Sequence, residues 1–159
     1  MNTDHPIIIK RTFNAPRQLV WDVWTQPEHI IKWWGPEGIT TRVEFMDFKP
    51  GGKWKYVMTG PDGTEYPVTG IFQEVNPIER YTSTDDFADE YKEHAHGMDL
   101  PNILLVTTLF SDLGERTEVT IIFTHPTEED KEKHEKMGGA SGWNSSFKKL
   151  DDYFIQLRN

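Results

Sequence analysis

The sequence predicts an α+β domain in which a curved antiparallel sheet is closed by one long C-terminal helix. Three observations carry this. Short segments alternate apolar with polar residues between turn signals, as Val119, Ile121 and Phe123 do against Glu118, Thr120 and Thr124, the period-two pattern of a strand with one covered face. The last stretch instead keeps a helical spacing through Gly139, Trp143, Phe147, Leu150, Phe154 and Leu157, the stripe of an amphipathic helix. The chain also has 159 residues, enough for one domain with its own core. Residues 1–159 are accordingly read as a single domain.

The elements follow in order. Pro6 to Phe13 is rich in β-branched residues and ends at Asn14-Ala15-Pro16. Asn14 or Ala15 would precede a helix with Pro16 in its first turn, where a missing N–H costs nothing. Val20, Val23 and Trp24 then share one helical face. Pro27 opens a second short helix grouping Ile30, Ile31 and Trp34, and Gly35-Pro36 ends it as a left-handed cap followed by a breaker. Six strands are expected next: Ile39 to Phe45, Lys53 to Thr59, Glu65 to Glu74, Ile78 to Thr84, Asn102 to Phe110 and Glu115 to Thr124. The punctuation between them is explicit. Gly51-Gly52 can bend the chain or form a bulge, Gly60-Pro61-Asp62-Gly63 and Asn76-Pro77 are turns, and Asp112-Leu113-Gly114 makes a hairpin. Thr127 with Asp130 resembles a capping box, and Glu128 and Glu129 suit the start of the long helix. One segment, Asp85 to Pro101, is long for a hairpin and is read as a solvated acidic loop that can carry a short helix over the mouth of the sheet.

Composition removes several functions. The chain has no cysteine, which excludes disulfides, thiolate nucleophiles and iron–sulfur clusters. It carries 17 Lys plus Arg against 26 Asp plus Glu, a formal net charge of −9, so a phosphate backbone is repelled and nucleic acid is not an expected partner. No apolar run approaches the ~20 residues of a membrane span, and the N-terminus has no secretory signal pattern. A cytoplasmic location is expected. No glycine loop between strand and helix is present to cradle a phosphate, and no cofactor is expected.

The long helix contains a local contradiction. Gly138, Gly139 and Gly142 fall within five residues, and each glycine inside a helix costs about 1 kcal/mol relative to alanine. Either the helix approaches the sheet closely or kinks there, or the missing side chains leave space for a ligand with Trp143 as a wall.

The run Pro16-Arg17-Gln18-Leu19-Val20-Trp21-Asp22-Val23-Trp24-Thr25, followed by Pro27-Glu28-His29 and Trp33-Trp34-Gly35-Pro36, resembles the START-like (SRPBCC) superfamily. Within it the chain is most similar to the branch named for the activator of the heat-shock protein 90 ATPase homologue. Gly51-Gly52-Lys53-Trp54, Gly70 to Val75 with Pro77, Glu79 and Arg80, and Gly138-Gly139 before Gly142-Trp143 match the same branch. The resemblance covers nearly the whole chain. It implies the helix-grip fold, shared with the birch pollen allergen, and a cavity between the long helix and the sheet. Relatives include lipid and hormone carriers, polyketide cyclases and aromatases, and co-chaperone domains, among which a fold alone does not choose.

Candidate residues are placed on that frame. Trp54 and Tyr56 on one strand, Tyr66 and Phe72 on the next, and Tyr81, Phe110 and Phe123 on the following ones are read as ligand-binding, with Gly139, Trp143 and Phe147 on the helix. Plain core packing is the alternative for each. Gly70, between Val68 and Phe72, removes bulk in mid-sheet and indicates curvature or space. Trp33 and Trp34 are read as an entrance or an interface. The run Asp85, Asp86, Asp89, Glu90, Glu93, His94, His96 and Asp99 has metal-ligand residue types but no metal-ligand spacing, so no metal is expected. Glu74, Arg80, Asp85, Asp99 and the histidines offer no nucleophile–base arrangement, and no catalytic residue is named; Tyr56, Tyr66 or Tyr81 could serve a cyclase as an acid. The expected function is binding of a small hydrophobic or amphipathic ligand in the cavity. A polyketide cyclase or aromatase-like enzyme, and a chaperone-associated protein-interaction domain, are the alternatives.

Overall fold

The structure, a computed structural model, describes residues 6–88, 104–136 and 139–158, with backbone alone for 139–141 and 158. Its elements are β1 (Pro6–Phe13), α1 (Arg17–Thr25), α2 (Pro27–Trp33), β2 (Thr40–Met46), β3 (Lys53–Thr59), β4 (Glu65–Asn76), β5 (Arg80–Phe87), β6 (Leu104–Asp112), β7 (Thr117–Thr124), α3 (Glu128–Lys136) and α4 (Gly139–Arg158). The seven strands form one sheet of order β1-β7-β6-β5-β4-β3-β2, antiparallel throughout. The long C-terminal helix and the two short helices lie on one face of it, the helix-grip arrangement.

Most local signals act where the sequence places them. Pro27 opens α2 and Gly35 follows it at φ +94°, a left-handed conformation that glycine adopts without strain. Pro16 is displaced by one position: it is the cap residue of α1 rather than part of its first turn, and no side chain caps that end. β5 begins at Arg80 instead of Ile78, because Ile78 has φ 44° and belongs to the turn after Asn76. Register shifts occur between Val43 and Phe45 and between Phe72 and Glu74. Gly51 and Gly52 instead close the β2–β3 turn and bond with Phe72 of β4.

The concave face carries the core. Phe13, Val20, Trp24, Ile30, Trp33, Phe147 and Leu150 are at most 1% exposed. Trp21, outside the expected face of α1, is buried as well and meets Phe110 edge-on at 5.2 Å. α4 buries Phe147, Leu150 and Phe154, while Leu157 at its end is exposed. Lys149 ties the helix to the loop after α2 by donating from Nζ to the carbonyls of Gly35 and Ile39, both at 3.1 Å.

The Thr127–Asp130 cap takes the N-cap half of the capping box: Asp130 N–H donates to Thr127 Oγ1 at 3.1 Å, and the Thr127 hydroxyl, rather than its backbone N–H, donates to Asp130 Oδ2 at 2.9 Å. The long helix expected after it is seen in two parts, α3 and α4. Residues 137–138, Gly138 among them, lie outside the described residues.

α3 is held to the residue just after β7 by a histidine pair. His125, fully buried, and His134 share a hydrogen bond of 2.9 Å between Nε2 and Nδ1. Burial, and then the proximity of His125, lower the His134 pKa to about 4. An unfolded histidine titrates near about 6.5, so between those values the unfolded chain binds more protons. This group's contribution is present above about pH 6.5 and lost as the pH falls through about 4. Because the ring keeps some contact with solvent, its size is on the order of 1–2 kcal/mol. Denaturant titrations of wild type and His134→Gln should show that the variant lacks this part of the acid slope; identical slopes would refute it.

Candidate functional site

Two adjoining pockets lie where α4 crosses β3, β4 and β5. The outer one, of about 160 Å³, is bounded by Trp34, Gly35, Pro36, Met58, Val68 and, on α4, Gly142, Trp143 and Ser146. The inner one, of about 30 Å³, reaches between Trp54, Tyr56, Phe72, Tyr81, Ser83 and Thr108. Trp34, Asp85 and Trp143 line both. An apolar cavity of about 150 Å³ holds a benzene ring, whereas drug-sized ligands need roughly 300 Å³ or more. The site therefore suits one ring with a short substituent.

Strand alternation builds the wall. Side chains two apart share a face, which puts Trp54 and Tyr56 of β3 together, and likewise Tyr81, Ser83 and Asp85 of β5. The β5–β6 register sets Tyr81 opposite Thr108 and Ser83 opposite Val106. Trp54 packs against Tyr56 in a tilted pair, centroids 4.5 Å apart, and donates its indole N–H to Ser83 Oγ at 2.7 Å. Trp34 meets Tyr56 and Trp143 edge-on, each at 5.1 Å. The main chain at Trp34 is held by Thr41, whose Oγ1 donates to the Trp34 carbonyl at 2.6 Å.

The glycines resolve in two ways. Among the described residues, a Cβ on Gly142 would meet only Pro36 Cγ at 3.7 Å, an ordinary contact, so this glycine leaves room beside Trp143. A Cβ on Gly70 would lie 1.9 Å from the Thr84 carbonyl oxygen and 2.6 Å from Trp54 Nε1. Gly70 is thus a close approach rather than empty space: the Trp54 ring fills the volume above it.

Asp85 is the titratable group of the cavity. It belongs to β5, as does Asp86, not to an acidic loop. The residue is half-buried and lines both pockets. Burial, and then the charge of Asp86, raise its pKa to about 7. Tyr56 is raised well above the ordinary phenol value by burial first, then by Tyr81 and Asp85. Tyr81 is also raised, by burial, despite its hydrogen bond with Thr108. Both phenols therefore stay protonated near neutrality, and neither is poised as a base.

The ligand-binding residues expected from the sequence divide accordingly. Trp54, Tyr56, Phe72, Tyr81 and Trp143 line a pocket. Phe110, Phe123 and Phe147 line neither pocket and are core. Tyr66 sits beyond Val68 on β4, half-buried, and lines neither. Gly139 lies in the first turn of α4, and its surroundings are outside the described residues. Trp33 is corrected: it is fully buried and donates its indole N–H to the Val23 carbonyl at 3.0 Å, so it is neither an entrance nor an interface. A short helix can bury one of two adjacent indoles while the second, Trp34, turns to the pocket. Asp85, Ser83 and Thr108 were missed as lining residues; the period-two row Tyr81, Ser83, Asp85 was the signal that could have found them. The stretch with His94 and His96 lies outside the described residues. Among the described residues no group of three or more His, Asp or Glu side chains could hold a metal ion, and no helix is long and apolar enough to cross a membrane.

Residues 14–154 match the family described as Activator of Hsp90 ATPase homolog 1-like protein. No curated protein matches the chain. Among solved structures, a protein from Arthrobacter aurescens is 31% identical with a TM-score of 0.83, over 95% of this chain and 87% of that one. A protein from Mycobacterium smegmatis is 28% identical with a TM-score of 0.81, over 96% and 92%. One from Nitrosomonas europaea is 25% identical with a TM-score of 0.82, over 99% of both chains.

Proposed function

The chain belongs to the Activator of Hsp90 ATPase homolog 1-like protein family, and from that premise we propose that it binds a small apolar or amphipathic molecule in the cavity between α4 and the sheet. The observation that carries this reading is the pair of joined pockets with Asp85, Trp34 and Trp143 common to both. Aromatic walls desolvate the ligand, and one ionisable group orients it.

Gly142 provides the test. Replacement by leucine fills the outer pocket from a position whose Cβ has room, and it also removes a helix-interior glycine, so the fold is kept. Binding of single-ring aromatic probes, followed by isothermal calorimetry and by indole fluorescence, should weaken at least tenfold in Gly142→Leu while the melting temperature holds or rises. Equal binding by both proteins would sink the reading.

Asp85 also favours a second reading, that of an enzyme acting on an aromatic substrate in the same cavity. A carboxyl held to a pKa of about 7 by burial can both give and take a proton near neutrality. Turnover of a bound substrate that vanishes in Asp85→Asn while binding persists would favour the enzyme.

A further inference from the structure

Resting on the reading that the cavity holds a ligand, we propose that this ligand is an organic cation, a protonated amine on a short arm from one apolar ring, with its nitrogen on the Asp85 carboxyl and its body against Trp34 and Trp143.

Three features of the cavity point the same way. The first is charge. Among the described residues lining either pocket, Asp85 is the one with a charged side chain. Among the described residues, the titratable groups that act with it are Asp86, Tyr56 and Tyr81, all acids, so together they make the potential there neutral or negative and disfavour an anionic ligand. Lys149, on the same helix as Trp143, spends its ammonium on the Gly35 and Ile39 carbonyls.

The second feature is the supply of hydrogen-bond donors. Several of the wall's polar hydrogens are already committed. Trp54 donates to Ser83 at 2.7 Å, Ser83 to the Thr84 carbonyl at 2.8 Å, and Ser146 to the Gly142 carbonyl at 3.1 Å. Tyr56 O–H points to Met46 Sδ at 3.6 Å. With these donors engaged elsewhere, a ligand that carries its own donors suits the carboxylate, and an ammonium brings up to three.

The third feature is the aromatic surface. Trp34, Trp143, Tyr56 and Trp54 surround the Asp85 end of the cavity, and indole and phenol faces attract cations through their quadrupole. Aromatic faces around one carboxylate form a receptor for an amine. The volume of about 160 Å³ limits its body to one ring.

The test uses 2-phenylethylammonium and its neutral counterpart 2-phenylethanol, titrated by calorimetry near pH 8 and near pH 6. The amine stays charged at both, its own pKa being near about 10. Asp85 has to be ionised to receive it, so the expected result is an ammonium affinity about tenfold higher near pH 8 than near pH 6, with proton release on binding near pH 6. The alcohol should show no such rise and should bind at least tenfold more weakly near pH 8. Asp85→Asn should erase the preference while still binding the alcohol. Alcohol binding equal to or tighter than the amine overturns the cation assignment and leaves the ligand cavity standing. An unchanged amine affinity in Asp85→Asn also overturns it. If neither probe binds, the cavity reading falls and the assignment falls with it. The pH profile of the wild-type protein decides the question even if the variant folds poorly.

Discussion

Gly70→Ala should cost at least about 3 kcal/mol of stability, and the variant is expected to be recovered poorly. Its added Cβ would sit 1.9 Å from the Thr84 carbonyl oxygen and within 2.7 Å of two atoms of the Trp54 indole. The carbonyl cannot retreat without moving β5, because the Thr84 side chain also accepts from Ile71 N–H at 2.9 Å. The indole is no freer, since it packs against Tyr56 and is bonded to Ser83. Relief would therefore separate β4 from β5 or push Trp54 into the inner pocket. Urea titration of Gly70→Ala beside Gly142→Ala checks this. At Gly142 the nearest contact is 3.7 Å, so alanine there should be neutral or stabilise by about 0.5–1 kcal/mol. Similar losses at the two sites would remove the distinction drawn between a filled and an open glycine.

That distinction shows how far the sequence could be read. Both positions read alike in it, as glycines that indicate either a close approach or space. What separates them is the neighbour across space, and no local pattern carries that. The strands, turns and helix caps were legible because alternation, positive-φ glycines and the Thr127–Asp130 box act within a few residues. The aromatic wall was half legible. Alternation placed Trp54, Tyr56, Phe72 and Tyr81 on the covered face, but it could not separate pocket from core on that face, and Phe110 went to the core. Trp33 and Trp34 show the same limit on a helix too short to have a clear stripe. Asp85 was obscured by composition. It begins a run of acids, and charge runs read as loops, so its place two residues beyond Ser83 on a buried strand face was overlooked.

Asp85→Asn should stabilise the protein by about 2–4 kcal/mol near pH 8.5 and change it little near pH 4. The sign follows from the direction of the shift. An unfolded aspartate titrates near about 3.9, and burial raises Asp85 to about 7. Between these values the folded protein holds the proton more tightly. The neutral carboxyl's contribution is then complete below about pH 3.9 and is lost as the pH rises through about 7. Asparagine keeps the shape without the charge and escapes that loss. The His134 contribution runs oppositely through about pH 4 to 6.5, so the two partly cancel in the wild type. In Asp85→Asn the histidine slope should stand alone, and in His134→Gln the aspartate slope should. Denaturant titrations of the three proteins across about pH 4 to 8.5 separate them. A difference between wild type and Asp85→Asn that does not grow with pH would mean the carboxyl is well solvated and orients nothing. A difference that does grow makes Asp85 a standing cost that an isosteric amide would avoid. The stability lost to such a group is recovered only when something in the pocket meets its charge, and a bound ammonium does so.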